Sequence, residues 1–217
     1  MPTLTHHDKI AVLDLGGDEN RFSPTYLTEV DALLDTVLSD GSQALITTAS
    51  GKFYSNGLDL DWLSANSERA EWYVAQVQSL LARMLTFALP TVAALPGHAF
   101  GAGAMLAVAH DFRVMREDRG YFCFPEADIR IPFTRGMAAL IQGKLTPKSA
   151  IASMTTGRRF GGPDALAYDL VDAIAEQAAV LETAISIVTP LGAKDQGTLG
   201  AIKTVMFADA VTALTNP

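Results

Sequence analysis

Residues 97–111 read GHAFGAGAMLAVAHD, and this stretch decides how the rest of the chain is interpreted. It consists almost entirely of glycine, alanine and apolar side chains, with Met105 just beyond the smallest residues. Small side chains allow another chemical group to approach the main chain closely. From Gly101 to His110 they also favour a tightly packed helix. Two interpretations therefore stay open for this stretch: close packing between elements, or a site where a ligand meets the backbone.

A strand followed by a glycine-containing loop and a helix is predicted twice, at residues 44–60 and again at 91–106. The two loops contain SNGLDL (55–60) and GAGAM (101–105). Turn glycines and tight helix packing explain either loop alone. Together they indicate two backbone N–H groups that bind one carbonyl oxygen. The helix that starts near Gly101 would add its N-terminal partial positive charge.

Segments typical of strands alternate with segments typical of helices over the whole chain, which predicts an α/β fold. The predicted strands are 9–17, 43–49, 91–97, 111–117 and 121–124. The predicted helices are one opened by Ser23 and Pro24, one from 59 to about 89, one from 101 to 110, and further segments at 134–143, 147–156, 163–168, 176–189 and 195–212.

Composition restricts the class of protein. The chain has 217 residues, which suggests one domain, and a net charge of −8, which argues against non-specific binding to nucleic acid or an acidic membrane. A single cysteine, Cys123, excludes a disulfide framework and a cysteine zinc site. The N-terminal segment has no apolar run typical of a signal peptide. We therefore expect a soluble, cytoplasmic protein without a metal site.

Glu126 is a candidate for proton transfer because it directly follows the aromatic segment GYFCFP. An apolar setting raises the pKa of a carboxyl group toward the range that suits a general base. The alternative is a surface glutamate that begins a turn. Two other features favour a structural role: His110-Asp111, whose adjacent side chains point in different directions, and Cys123 in its aromatic strand.

Three segments, taken in order, resemble the crotonase superfamily, also called the enoyl-CoA hydratase/isomerase family. They are ITTASGKFYSNGLDL (46–60), LPTVAALPGHAFGAGAMLAVAHDFRVM (89–115) and FPEADIRIP (124–132). The resemblance covers roughly residues 10–175. It implies a crotonase-like spiral of ββα repeats over 1–175, with residues 176–217 as a C-terminal helical segment of the same domain. It also implies a homotrimer or hexamer, a role in fatty acid metabolism, and an acyl-CoA thioester as substrate, with coenzyme A as part of the substrate and no separate cofactor.

The resemblance also implies roles for individual residues. The backbone N–H groups of Leu58 and Ala102 would hold the thioester oxygen, and Glu126 would be the base. The substrate-binding residues would be Ser55, Asn56, Gly57, Leu58, Asp59, Gly101, Ala102 and Pro125. The family often has a basic residue before the asparagine of its first loop; here Asp18 and Glu19 stand before Asn20, and Arg21 follows.

Hydratases of this family use two glutamates, and Met105 stands where the first of them belongs. A methionine side chain cannot activate water or hold a proton. The pattern therefore looks closest to monofunctional Δ3-Δ2-enoyl-CoA isomerases, in which the glutamate that matches Glu126 is the single base. The alternatives are another crotonase-type acyl-CoA reaction, such as hydration or thioester hydrolysis, and a non-catalytic acyl-CoA-binding protein.

Overall fold

Two sheets organise the protein, whose computed structural model describes residues 1–216. Within these residues, six strands form one sheet in the order β1-β2-β3-β5-β7-β9, and three form a second in the order β4-β6-β8. The strands are β1 (Thr3–His7), β2 (Ile10–Asp14), β3 (Ala44–Thr48), β4 (Phe53–Ser55), β5 (Thr91–Leu95), β6 (His98–Phe100), β7 (Phe112–Arg116), β8 (Phe122–Cys123) and β9 (Ala173–Ala175). β1 pairs antiparallel with β2, and all other pairs are parallel.

The helices connect or cover these strands. They are α1 (Pro24–Ser39), α2 (Leu60–Ala65), α3 (Ala70–Leu85), α4 (Ala102–Ala109), α5 (Glu126–Ile129), α6 (Arg135–Lys144), α7 (Pro147–Met154), α8 (Gly162–Ala167), α9 (Val180–Val188), α10 (Gln196–Met206) and α11 (Ala208–Thr215). Three times in succession the chain gives one strand to the large sheet, one to the small sheet, and then forms helix: β3-β4-α2, β5-β6-α4 and β7-β8-α5. The expected spiral of ββα repeats is confirmed.

The two faces of the large sheet are both buried, which explains the near-continuous apolar strands. One face packs into the main core. The other carries residues such as Ile46, Val92 and Val114, and α9 covers them with Val180, Ala184 and Val188. Parallel pairing in the small sheet has a second effect: the carboxyl ends of β4, β6 and β8 meet at one edge. The segments after Ser55, Phe100 and Cys123 are therefore neighbours.

Helix α4 lies against the end of β4 with almost no space between them. All residues from Ala102 to Ala109 are buried. A Cβ on Gly103 would overlap the carbonyl of Ser55 and lie 2.7 Å from the Ser55 Cβ. Glycine is required here because a real side chain would force the helix away from the strand. The small residues of the 97–111 stretch thus allow close packing, which was one of the two interpretations of this stretch.

The start of α1 confirms a local signal in the sequence. The Ser23 hydroxyl accepts a hydrogen bond from the Tyr26 N–H at 3.3 Å, and Pro24 is the first helical residue.

The prediction of one continuous helix from 59 to 89 is wrong, because the structure has two helices there. α2 ends at Ala65, and the next residue, Asn66, caps it with a side chain that donates to the Trp62 carbonyl at 2.8 Å. A 3₁₀ turn separates α2 from α3.

Several other boundaries also differ from the predicted ones. The predicted strand 91–97 is β5 followed by a turn into β6, and the short strands β1, β4, β6 and β9 are absent from the prediction. The predicted helix 195–212 is two helices, α10 and α11, with a bend of 76° between them. Within residues 1–216 no single helix is long and apolar enough to cross a membrane; this bent pair reaches the length and composition only when its two helices are taken together.

Candidate active site

A cavity of about 340 Å³ opens where the carboxyl ends of β4, β6 and β8 meet. Three predicted segments line it: Asn56 and Leu58, Gly101 and Ala102, and Pro125 and Glu126. Parallel strands commonly bind ligands at this edge, because the connecting loops converge there. The other lining residues are Arg21, Leu60, Asp61, Phe100, Cys123, Ile129, Ile131 and Arg159.

The Leu58 N–H is the unused donor of the first loop. Gly57 turns the chain with φ +77°, and its own N–H donates to the Ser55 hydroxyl at 3.1 Å. On the other side, the Asp59 N–H donates to the Tyr73 hydroxyl at 2.7 Å. Among the described residues the Leu58 N–H has no acceptor. A ligand oxygen at this position would therefore meet a free donor.

The Ala102 N–H is the corresponding donor of the second loop. Gly101 adopts φ +52° and ψ −124°, a conformation that favours glycine, and its N–H donates to the Cys123 carbonyl at 3.0 Å. Ala102 is the first residue of α4, and no side chain in residues 1–216 caps this helix. The first N–H groups of a helix have no partner within the helix. The Ala102 N–H is thus free, and it carries the positive end of the helix dipole.

The two donors belong to segments that are in contact. A Cβ on Gly57, the residue before Leu58, would lie 2.8 Å from the Ala102 nitrogen and 2.7 Å from the Phe100 carbonyl oxygen. The first loop therefore touches the start of α4. Two free N–H groups from adjoining loops can bind one oxygen atom and stabilise negative charge on it.

Glu126 supplies a carboxyl group next to these donors. The residue is 9% exposed, and its Oε2 atom is buried with no hydrogen-bond partner in the part of the chain that the structure describes. Burial raises the pKa of this carboxyl to about 7. A Cβ on Gly101 would lie 3.5 Å from the Glu126 Oε1 atom, so the carboxyl faces the turn that presents Ala102. A carboxyl with this pKa exchanges a proton readily near neutral pH.

Met105 occupies the core. It is 1% exposed and belongs to the main hydrophobic cluster, one turn into α4. Of the described residues that line the cavity, Asp61 is the one other carboxylate, and it accepts from the Arg21 guanidinium at 2.6 Å. Arg21 also pairs with Glu19 at 2.5 Å. Glu126 is thus the carboxyl group of the cavity without an ionic partner.

Three of the predicted site residues support the loops instead of lining the cavity. The Ser55 hydroxyl donates to the Asn20 carbonyl at 2.7 Å and accepts from Gly57. Gly57 forms the turn itself. Asp59 caps α2, because its Oδ1 accepts from the Trp62 N–H at 3.1 Å. The roles of Leu58, Ala102 and Glu126 in catalysis, and of the substrate-binding residues, stay predictions.

Cys123 was expected to be a core residue, and it is both buried and part of the cavity lining. Its thiol donates to the Gly157 carbonyl at 3.3 Å, and burial raises its pKa to about 11, so it is a thiol and not a nucleophilic thiolate at neutral pH. Phe100, Ile129 and Ile131 adjoin the sequence motifs, so their proximity to the site follows from their position in the chain.

Arg159 lines the cavity but lies in none of the sequence motifs that predicted the site. It reaches the cavity from the segment between α7 and α8, which is remote in sequence from the other lining residues. Local sequence therefore did not identify it, and only the packing of that segment against β8 brings it to the site.

His110 has the structural role that the sequence favoured. Its Nε2 is 2.9 Å from the Thr47 hydroxyl and its Nδ1 is 2.8 Å from the Leu106 carbonyl oxygen. The ring is fully buried, and burial lowers its pKa to about 3, so it is neutral.

Within residues 1–216 no group of three or more His, Cys, Asp or Glu side chains is arranged to hold a metal ion.

Comparison with solved structures identifies the class of fold. The apo structure of an enoyl-CoA isomerase from Mycobacterium tuberculosis superposes with a TM-score of 0.89; it is 27% identical, and the match covers 98% of this chain and 93% of that one. Human mitochondrial Δ3-Δ2-enoyl-CoA isomerase superposes with a TM-score of 0.90 at 23% identity, with 98% and 85% of the two chains covered. The expected crotonase fold is confirmed.

Comparison of sequences identifies the family. The family described as enoyl-CoA hydratase/isomerase matches residues 6–216. Enoyl-CoA delta isomerase 3 of Arabidopsis thaliana is 36% identical over 206 residues, which cover 89% of this chain and 86% of the relative. The chain belongs to the enoyl-CoA hydratase/isomerase family. It is an enzyme of that crotonase type, as its sequence motifs indicated.

Proposed function

We propose that this enzyme moves the double bond of a 3-enoyl-CoA to the 2-trans position. One observation carries the proposal: a single unpaired carboxyl group, that of Glu126, lies beside two free backbone N–H groups. Isomerisation needs one group that takes a proton and returns it. Hydration needs water to be activated as well, and the family resemblance puts Met105, a buried side chain that cannot hold a proton, at the position of the second carboxylate. The delta isomerase name of the Arabidopsis relative supports the same reaction.

The first step is removal of a proton from C2. The thioester oxygen accepts hydrogen bonds from the Leu58 and Ala102 N–H groups, which makes the C2 proton more acidic. The Glu126 carboxylate takes that proton, and the electron pair of the C–H bond delocalises through C1 onto the thioester oxygen. The product is a dienolate with double bonds at C1–C2 and C3–C4. The two N–H groups stabilise its negative charge.

The second step returns the same proton to C4. The Glu126 carboxyl donates it, the electron pair of the C3–C4 bond forms the new C4–H bond, and the C1–C2 electrons form the C2–C3 double bond. The thioester carbonyl is restored and Glu126 is again a carboxylate. No atoms are gained or lost. A pKa of about 7 suits both steps, because the two protonation states of Glu126 are close in free energy near neutral pH.

The test uses purified protein and 3-decenoyl-CoA, with the absorbance of the conjugated thioester as the readout. We expect turnover by the wild type and a roughly 10²–10⁴-fold lower kcat for Glu126→Gln, which keeps the shape of the side chain and removes the base. Glu117→Gln is the matched control, because Glu117 is exposed and lies outside the cavity.

Three outcomes would contradict the proposal. Unchanged turnover by Glu126→Gln would remove Glu126 from the reaction. Addition of water to crotonyl-CoA, or hydrolysis of the thioester, at a rate matching isomerisation would favour another crotonase-type reaction. Tight binding of acyl-CoA without turnover would favour a non-catalytic binding protein.

A further inference from the structure

A chain of three buried side chains, which the proposed reaction does not use, starts at His110. Its Nδ1 lies 2.8 Å from the Leu106 carbonyl oxygen, and its Nε2 lies 2.9 Å from the Thr47 hydroxyl. The Thr47 hydroxyl in turn lies 2.7 Å from the Tyr54 hydroxyl. None of the three residues is more than 1% exposed, so water does not replace these bonds.

The hydrogen bonds of this chain run in one direction only. Burial lowers the pKa of His110 to about 3, so the ring is neutral and carries one N–H. A carbonyl oxygen accepts and never donates, so the ring N–H is the Nδ1 that faces Leu106. Nε2 is therefore an acceptor, and the Thr47 hydroxyl donates to it. The Thr47 oxygen is left to accept from the Tyr54 hydroxyl, and every polar side-chain atom of the chain has a partner.

The two ends of this chain belong to the two elements that present the free N–H groups. Tyr54 is part of β4, the strand that leads into the loop of Leu58. His110 follows the last turn of α4, whose first residue is Ala102. Thr47, in the middle, is part of β3 inside the large sheet. The side chains thus connect β4 and α4 through a fixed position in the large sheet.

Helix α4 is therefore held relative to β4 at both of its ends. At the first turn the contact is steric, because a Cβ on Gly103 would overlap the Ser55 carbonyl. A steric contact limits how closely the helix approaches the strand, but it leaves the helix free to tilt away. The bonds at the other end oppose a tilt, because a hydrogen bond weakens steeply with distance and angle.

We propose that His110 is a positioning residue for the two backbone donors of the cavity. Through Thr47 and Tyr54 it fixes the donor at the start of α4 relative to the donor of the loop after β4. This inference rests on the proposed function, in which both donors bind one thioester oxygen. His110 itself does not line the cavity. Displaced donors stabilise the charge of the dienolate less well, whereas the neutral thioester depends on them less, so kcat falls and KM changes little.

Removal of a single oxygen atom tests the proposal with little disturbance of the fold. Tyr54→Phe ends the chain of hydrogen bonds. Tyr26→Phe is the matched control, because the Tyr26 hydroxyl donates to the Leu15 carbonyl at 2.8 Å instead. With 3-decenoyl-CoA as substrate, Tyr54→Phe should lower kcat roughly tenfold and change KM less than about twofold. Tyr26→Phe should have the kcat of the wild type.

Substitution of His110 adds a test by rescue. His110→Leu removes both ring partners and should lower kcat at least as much as Tyr54→Phe. His110→Gln provides an amide oxygen that accepts from Thr47, so kcat should return to within about threefold of the wild type. If His110→Leu does not fold, as judged by circular dichroism, the comparison of Tyr54→Phe with its control decides alone. A Tyr54→Phe enzyme with the kcat of the wild type overturns the proposal.

Nuclear magnetic resonance tests the arrangement without turnover. The nitrogen shifts of the His110 ring should show a neutral ring with its proton on Nδ1, and a proton on Nε2 overturns the proposal. The amide signals of Leu58 and Ala102 should move in Tyr54→Phe and stay in place in Tyr26→Phe. A wild type without isomerase activity would reject the proposed function, and these two amide signals would still decide on the positioning role: signals that do not move in Tyr54→Phe reject it.

Discussion

Burial raises the pKa of the Glu126 carboxyl group from 4.5 to about 7, and this shift bears both on the proposed reaction and on the stability of the fold. In the proposed reaction, only the carboxylate form of Glu126 can take the C2 proton. We therefore expect kcat/KM to fall about tenfold per pH unit below about 7 and to level off above it. A pH–rate profile with 3-decenoyl-CoA measures this. An ascending limb centred near pH 4.5 would contradict the raised pKa.

The same pKa predicts how Glu126→Gln changes the free energy of unfolding. A raised carboxyl pKa means that the folded state binds the proton more tightly than the unfolded state, so the wild type loses stability as the pH rises from 4.5 to 7. Glutamine has no charge to bury. Between pH 5 and pH 8, the variant should gain about 2 kcal/mol relative to the wild type. Urea unfolding at the two pH values measures it, and a pH-independent difference would be inconsistent with a buried carboxylate.

Gly103 and Gly143 are both helical glycines in opposite surroundings. A Cβ on Gly103 would overlap the Ser55 carbonyl, whereas a Cβ on Gly143 meets nothing within 4 Å. Gly103→Ala should lose about 1–3 kcal/mol of unfolding free energy and reduce activity, because α4 must move away from β4. Gly143→Ala should gain about 0.5–1 kcal/mol from helix propensity. Equal effects of the two substitutions in thermal unfolding would disprove the close approach of α4 to β4.

Lys203 connects α10 by hydrogen bonds to the segments that precede β5 and β7. It is 4% exposed, and its ammonium group donates to the Phe87 carbonyl at 2.9 Å, the Leu89 carbonyl at 2.8 Å and the Asp111 carboxylate at 2.6 Å. Each of these acceptors loses a buried donor if the lysine is removed.

Lys203→Met should therefore lower the free energy of unfolding by about 3 kcal/mol, because it leaves Asp111 without its cation. Lys194→Met, at an exposed position just before α10, should change it by less than about 0.5 kcal/mol. Chemical denaturation of both variants compares them. A Lys203→Met protein as stable as the wild type would show that the buried ammonium group contributes nothing to holding α10.

Local signals explain which elements the sequence predicted. Ser23 and Pro24 mark the start of α1 because capping depends on neighbouring residues only. β4, β6 and β8 have two or three residues each, which is too short for a pattern of alternation to be visible. The sequence predicted Leu58, Ala102 and Glu126 as site residues because each lies in a recognisable motif, and all three line the cavity. Arg159 was not predicted, since its position depends on how the segment after α7 packs against β8.

At the scale of the whole molecule, α10 presents an apolar surface to solvent. Ile202, Val205 and Met206 lie on one face of the helix at spacings of three and four residues, and Val205 is 80% exposed. Exposed apolar patches often mark an interface between subunits. The expected homotrimer or hexamer would bury this surface.

Sedimentation tests that expectation. We expect the wild type to sediment at three or six times its chain mass of 23.1 kDa, and Val205→Asp to shift the distribution to smaller species. Leu38→Asp, on α1 at a position of lower exposure, is the control and should leave the assembly unchanged. A monomeric wild type would contradict the expected assembly.

The two free donors at the edge of the small sheet belong to the main chain, and this limits what mutation can do to them. Replacing Leu58 or Ala102 by any residue other than proline does not remove either N–H group. Other substitutions can displace the donors if they move Gly57 or Gly101 out of its positive-φ conformation or separate α4 from β4. Substitutions at the surrounding positions can therefore change the shape of the cavity, while the two N–H groups stay in place as long as the two glycines keep their conformations.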